Sequence, residues 1–306
     1  GPVNSRRLGR SLGVDVIPPK TCTFDCIYCE LGRTTHLTLK RRPYAVKAII
    51  REIQEYFQEP RVVPDFVTLA GSGEPTLNAG LKEIIAAVQA VTDTPVAVLT
   101  NGALLYRAEV RRDLQAAQVV LPSLDAAREE TFRHINRPAP GLAVDLLVTG
   151  LEAFRQEFAG QLWLEVMLLR GINDQEPELA ALKEAIARIR PDKVQLNTAV
   201  RPVAEAYAHP LSREEMSAIA AYLGEGAEVI ADFSSSHRAA GSVTDRTLLD
   251  MLARRPMTAR DLAQALGLPL SQVEKQLHRL ESAGLIARDF YQQEGFFRNP
   301  TPLNQA

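Results

Sequence analysis

The chain has 306 residues, 46% of them hydrophobic and 24% charged, with 35 Lys and Arg against 37 Asp and Glu. That length buries a sizeable core and fits one large domain with a small companion. A net charge of −2 supplies no global basic field for nucleic acid. No run approaches the roughly 18 apolar residues of a membrane helix, and residues 1–10 are basic without the apolar stretch of a signal peptide. A cytoplasmic protein with no membrane partner is expected. The chain opens on Gly1 rather than Met, which fits processing or a missing N-terminal segment.

Short apolar strands alternate with amphipathic helices. Residues 13–17 read as a strand, followed by a loop that holds all three cysteines of the chain. Val46, Ile49, Ile50, Ile53 and Phe57 then recur at helical spacing over 44–58. A strand at 65–70 precedes a helix over 78–91 that Asn78 is placed to cap. A strand at 96–100, a helix near 107–116 and a strand at 118–121 follow. The helical stretch 144–158, the strand 162–168, the helix 177–188 and the strand 193–197 complete the series. Strands alternating with helices imply parallel βαβ units with right-handed crossovers. The expected fold is α/β, a partial (βα)6-type TIM barrel over residues 1–233.

The tail differs. Helices are expected over 244–254, 258–266 (capped by Thr258) and 270–283, then a hairpin around Gln293-Glu294-Gly295. Three helices and a wing over 244–306 make a winged helix-turn-helix domain, with 234–243 as linker. From Thr244 onward the chain carries eight cations and seven anions, weak for a DNA-binding face. Docking of a substrate such as RNA or a peptide, or binding of a partner, fits this tail better than binding duplex DNA; a wing packed against the barrel mouth would instead seal it.

Cys22, Cys26 and Cys29 stand in the run Thr21-Cys22-Thr23-Phe24-Asp25-Cys26-Ile27-Tyr28-Cys29. An odd cysteine count without a secretory signal argues against a disulfide framework. Zinc wants four ligands, and His36 is the one nearby candidate to join three thiolates. Three thiolates on one short loop suit a [4Fe–4S] cluster with one iron left open. The other expected strands end in polar turns: Gly71-Ser72-Gly73-Glu74-Pro75, Thr100-Asn101-Gly102, Ser123-Leu124-Asp125, Arg170-Gly171-Ile172-Asn173 and Asn197-Thr198. A parallel barrel gathers such turns on its C-terminal rim, where barrel enzymes keep their chemistry.

The C-x3-C-x2-C loop, with Tyr28 before the last cysteine, resembles the radical S-adenosylmethionine (AdoMet) superfamily. The lead-in Ser5-Arg6-Arg7-Leu8-Gly9-Arg10-Ser11-Leu12-Gly13 resembles its wyosine-synthase-like Fe–S oxidoreductase subgroup. The resemblance implies that Cys22, Cys26 and Cys29 hold three irons of a [4Fe–4S] cluster and AdoMet chelates the fourth. An electron through the cluster then yields methionine and a 5′-deoxyadenosyl radical, so a one-electron donor of flavodoxin or ferredoxin type is implied. Tyr28 is implied near the adenine, and Gly73 and Glu74 at the AdoMet amino group, although Ser72 stands where the family pattern has a glycine. Asn101 and Ser123 are implied at the ribose and carboxylate. Asp125, Arg170 and Asn197 are further rim candidates, and Glu165 either faces out of the barrel or points into it.

Among basic groups, Arg6, Arg7, Arg10, Lys40, Arg41 and Arg42 bracket the loop as candidates for substrate phosphates or an acidic electron donor. With no cysteine beyond these three, auxiliary clusters and a carrier-thiol methyl transfer are excluded, and the subgroup's second cluster lacks ligands. A radical AdoMet enzyme acting on an RNA- or nucleotide-derived or other small-molecule substrate is expected. An enzyme acting on a protein or peptide, as a glycyl-radical activase does, and an Fe–S redox-sensing DNA-binding regulator stay open as alternatives.

Overall fold

The computed structural model describes residues 2–5, 7–58, 63–231, 245–266, 268–291 and 294–300. Arg6, the linker expected over 234–243 and Gln293 of the expected hairpin turn lie outside these. Among the described residues no helix is long and apolar enough to cross a membrane.

The chain opens with β1 (Pro2–Ser5) and β2 (Gly9–Asp15), followed by two short strands of the cysteine loop, β3 (Thr21–Cys22) and β4 (His36–Leu37). Then come α1 (Val46–Gln58), β5 (Phe66–Ala70), α2 (Leu81–Val91), β6 (Val96–Thr100), α3 (Ala108–Leu114) and β7 (Val119–Pro122). The second half holds α4 (Glu129–Asn136), α5 (Val144–Glu157), β8 (Gln161–Leu168), α6 (Glu176–Ile189), β9 (Lys193–Thr198), α7 (Arg213–Leu223) and β10 (Ala227–Val229). The main sheet runs β1-β2-β5-β6-β7-β8-β9-β10. β1 is antiparallel to β2 and every later pair is parallel. The order does not close on itself, so the barrel is partial. It holds the six expected strands, a seventh parallel strand, β10, and the antiparallel β1 at the leading edge.

Apolar strands such as Val119–Pro122, buried at every position, form because a parallel sheet is covered on both faces. One face meets the helices in the large core that includes Val67, Leu69, Val98, Val120, Leu164 and Phe154. The alternate residues pack together inside the curve of the sheet. Ala97, Val119, Leu121 and Trp163 form that inner cluster, and Leu8, from the turn between β1 and β2, joins it at 3% exposure. Two expectations need correction. Asn78 does not cap α2; its side chain is buried and donates to the Val16 and Tyr44 carbonyls, joining strand, loop and helix. The helices α4 and α7 were not expected. α7 starts with a capping box between Ser212 and Glu215, a signal the sequence does carry.

The tail has its own core. It comprises α8 (Asp245–Arg254), β11 (Met257–Thr258), α9 (Ala259–Leu266), α10 (Leu270–Ser282), β12 (Ala287–Tyr291) and β13 (Glu294–Arg298). Leu248, Leu252, Val273, Leu277, Leu280 and Phe297 pack between them, and β11-β13-β12 form the sheet of the wing. Thr258 caps α9 as expected, its hydroxyl accepting from the Asp261 N–H.

Truncating Leu8 to Ala is expected to cost about 2–5 kcal/mol, the range for a fully buried leucine. Urea denaturation should show a lower midpoint at unchanged slope. An unchanged midpoint would show that the inner cluster does not depend on Leu8.

Candidate active site at the barrel mouth

The cysteine loop leaves β2 and is pinned on every side. Lys20 N–H donates to the Ser72 carbonyl at 2.6 Å, and Glu74 N–H donates back to the Thr21 carbonyl at 3.0 Å. Between them the backbone passes so closely that a Cβ on Gly73 would lie 1.9 Å from the Thr21 oxygen. Only glycine permits this approach. Ser72, the departure from a double glycine, puts its hydroxyl on Asp15 at 2.7 Å, away from the loop. On the far side α4 ends in Arg137, held in the left-handed region at φ 43°. The last carbonyls of that helix need partners, and those of Ile135 and Asn136 accept from Ile27 and Asp25 N–H at 2.9 and 3.0 Å.

Glu74 is 1% exposed. Its carboxylate accepts from Thr76 N–H (3.0 Å), Thr76 Oγ1 (2.5 Å), Thr100 Oγ1 (2.6 Å) and Asn101 N–H (2.7 Å). Burial raises its pKa even so, with these donors opposing. The side chain is therefore a clasp between the turns after β5 and β6. Asn101, fixed by that clasp, aims its amide at Thr23 Oγ1 (2.7 Å) and Cys22 Sγ (3.5 Å).

A second buried carboxylate organises the other flank. Asp125 accepts from Tyr28 Oη at 2.5 Å, Asn136 Nδ2 at 2.7 Å and Met167 N–H at 3.0 Å. Asn136 also donates to Cys26 Sγ at 3.5 Å. Burial pushes Asp125 up to about 6 against these three donors. Burial and the adjacent Asp125 raise Tyr28 well above the ordinary phenol range.

The three thiols are half-buried and free of disulfides. Burial, with Glu74 adding, pushes Cys22 up to about 12; burial likewise raises Cys26 and Cys29. Such thiols stay protonated at neutral pH until a thiophilic metal displaces the proton. Lys20 lies beside them, 3% exposed, its ammonium on the carbonyls of Leu31 (2.9 Å) and Gly32. Burial lowers its pKa while the thiols of Cys29, Cys22 and Cys26 and the Asp25 carboxylate pull the other way. Among the described residues no three Cys, His, Asp or Glu side chains converge tightly enough to grip a single ion. A polynuclear cluster spreads its ligands around a larger body. With all-sulfur donors and amides on two sulfurs, the loop fits an iron–sulfur cluster better than mononuclear zinc.

The other candidates divide. Ser123 lies on the mouth, its N–H on the Thr100 carbonyl. Glu165 points into the barrel, paired with Arg7 at 2.5 Å and Asn197 Nδ2 at 3.0 Å. An inward carboxylate needs such partners, and the chain supplies them, which takes Arg7 out of the set of phosphate contacts. Arg10 forms an exposed surface pair with Asp65, and Arg41 is held in a largely buried pair with Asp113 and by the Thr76 carbonyl. Arg170 is the clear correction. It sits on the surface, bidentate to Glu215 at 2.5 and 2.6 Å, where it anchors the start of α7. Sequence reasoning missed Thr76, Asn136 and Lys20, which belong to no motif, and placed Thr100 in a rim turn without its bond to Glu74; all acquire their partners only in the fold.

A family model described as the Radical SAM superfamily matches residues 16–182, and a helix-turn-helix domain model matches 244–289. A Brachyspira hyodysenteriae protein named GTPase Obg is 40% identical over 294 residues. That match takes in 94% of this chain but 43% of that protein, so the chain spans less than half of its length. A UPF0026 protein of Synechocystis sp. is 41% identical over 216 residues, covering 70% of this chain and 77% of that protein. Among solved structures, TYW1 with a lysine–pyruvate adduct bound shares the fold at a TM-score of 0.51 and 21% identity, covering 67% of this chain and 70% of that one.

Three of the four donors bond Oε1, and a Gln carbonyl can still serve them. Replacing Glu74 by Gln nevertheless sets its NH2 against the Asn101 N–H that donates to Oε2, and is expected to destabilise the metal-free protein by about 1–3 kcal/mol through the unsatisfied group. Thermal unfolding without AdoMet measures it. An unchanged melting temperature would show that the clasp carries no stability.

Proposed function

The chain belongs to the radical SAM superfamily and is an enzyme of that class, and on this premise we propose that it cleaves AdoMet reductively at one [4Fe–4S] cluster held by Cys22, Cys26 and Cys29. The observation that carries the proposal is the anchored three-thiol loop at the C-terminal ends of parallel strands. When bound, the cluster delivers the electron that breaks AdoMet into methionine and a 5′-deoxyadenosyl radical. The chain's own residues do the rest. Gly73 and Glu74 would receive the AdoMet amino group at their turn, and Asn101 and Ser123 would offer polar contacts to its ribose and carboxylate. Tyr28, its phenol held by Asp125, would lie near the adenine. Lys20 and the amides of Asn101 and Asn136 offset negative charge on the sulfurs. An external one-electron donor supplies the reducing equivalent.

We further propose a small-molecule substrate, with nucleotide-derived compounds as the leading class. Of the basic groups once available to a polynucleotide backbone, Arg7, Arg10 and Arg41 are tied to carboxylates. In the tail, Arg279, Arg288 and Arg298 are tied likewise to Asp245, Glu281 and Asp289. Pairing leaves Lys40 and Arg42 beside the loop and Arg246, Arg260 and Lys275 in the tail without an ion pair among the described residues. Long phosphate chains recruit many free cations, so this smaller set favours a small molecule over bulk RNA or duplex DNA, which also disfavours the DNA-binding regulator.

Anaerobic reconstitution is expected to give about four irons and four sulfides per chain. Cys26→Ala should lose the cluster's visible absorbance. Stoichiometric zinc without iron in anaerobic preparations would overturn the proposal.

A further inference from the structure

The winged helix meets the barrel on the rim that carries the cysteine loop. α9 lies against β1. Asp250 and Ala253 of α8 wall a cavity of about 420 Å³ whose opposite side is Asp15, Lys20, Leu31 and Ser72. These barrel residues come from the end of β2, both ends of the cysteine loop and the turn before Glu74.

Beside that cavity four charges alternate across the boundary. Arg201, from the segment after β9, lies 3.5 Å from Glu30 and 3.5 Å from Asp261 of α9. Arg255, just past α8, lies 3.6 Å from the same Glu30. Two charges belong to the barrel and two to the winged helix, and Glu30 directly follows Cys29 in sequence. The Arg201 side chain is 10% exposed, and a buried guanidinium is tolerable only with anionic partners. One of its two anionic partners, Asp261, comes from the tail, so seating the tail supplies a counter-charge to the cation it buries.

We propose that the α8–α9 face of the winged helix is a lid fitted to the barrel rim of its own chain, seated by the Arg201–Glu30–Arg255–Asp261 clasp and closing the cavity beside the cysteine loop. The partner this face fits is the barrel, not a nucleic acid. The clasp contacts are longer than the 2.5 Å pairs of the barrel itself, so the lid is releasable, and the Arg255–Glu30 pair, with Arg255 at 41% exposure, is the one open to screening by salt. A closed lid keeps water and reductant from a radical site. That last role rests on the chemistry proposed above, whereas the seating does not.

Hydrogen exchange on the full-length, anaerobically reconstituted protein tests the seating. Arg255→Glu, which sets a second anion against Glu30, is expected to raise exchange several-fold in residues 19–31 and in α8. α10, which takes no part in the clasp, should stay protected, and Arg255→Lys should behave like wild type. In the wild type, raising salt from about 0.05 to about 0.5 M should raise exchange in the same segments. Wild-type exchange at 19–31 in Arg255→Glu, with α10 protected, would overturn the lid. If Arg255→Glu also exposes α10, the domain has lost its own fold and the wild-type salt series decides: exchange at 19–31 indifferent to salt would overturn the lid. Uncoupled 5′-deoxyadenosine formation should rise in Arg255→Glu. A chain that forms none, yet shows the exchange response, keeps the lid and loses the proposed chemistry.

Discussion

Burying the carboxylate of Glu74 carries a desolvation cost that must be met by hydrogen bonds on the spot, and four donors from Thr76, Thr100 and Asn101 meet it. Because those donors sit on two successive strand-end turns, satisfying one side chain fixes the distance between β5 and β6 at the mouth. The turn so fixed runs beneath Thr21, where no side chain fits at position 73, and it offers its backbone to both ends of the loop's first residues. The height of the cysteine loop over the barrel follows from that contact. Asp125 repeats the device on the other flank, holding Tyr28 of the loop, Asn136 of α4 and the backbone of β8 with one carboxylate.

Two regimes of electrostatics therefore coexist. Inside the barrel, the carboxylates of Glu74, Asp125 and Glu165 are each held by two or more contacts from their own chain, which makes the mouth a pre-organised frame. At the boundary with the winged helix the ion pairs are longer and bridge two separately packed cores. Rigid positioning near the thiols and a releasable cover above them are the pairing a reactive intermediate requires. In the proposed chemistry the frame sets geometry and the cover sets access.

Much of this was legible in the sequence because it is written locally. Strands such as Val96–Thr100 announce themselves through short apolar runs, and each polar turn after a strand falls on the same rim because parallel strands share a direction. The three cysteines and the glycine at 73 are local too. What stayed hidden is tertiary. Whether Glu165 faces in or out has no local signal, since strand alternation is symmetric until Arg7 arrives from the turn before β2. Asn136 is an ordinary helix residue in sequence and touches a cysteine sulfur only because α4 ends beneath the loop. Arg170 follows a strand as the other rim groups do, yet Glu215, 45 residues on, draws it to the surface. The turn motif at Glu74 was legible as a motif, while its side chain's role as a clasp depended on Thr100, which no spacing rule connects to it.

The central claim is that the anchored three-thiol loop makes this chain a reductive AdoMet-cleaving enzyme. The most direct measurement is formation of 5′-deoxyadenosine and methionine by the anaerobically reconstituted protein with dithionite and AdoMet. The account predicts both products in equal amounts, dependent on reductant and absent in Cys26→Ala. An iron-replete protein that binds AdoMet but forms neither product under strong reductant would contradict it.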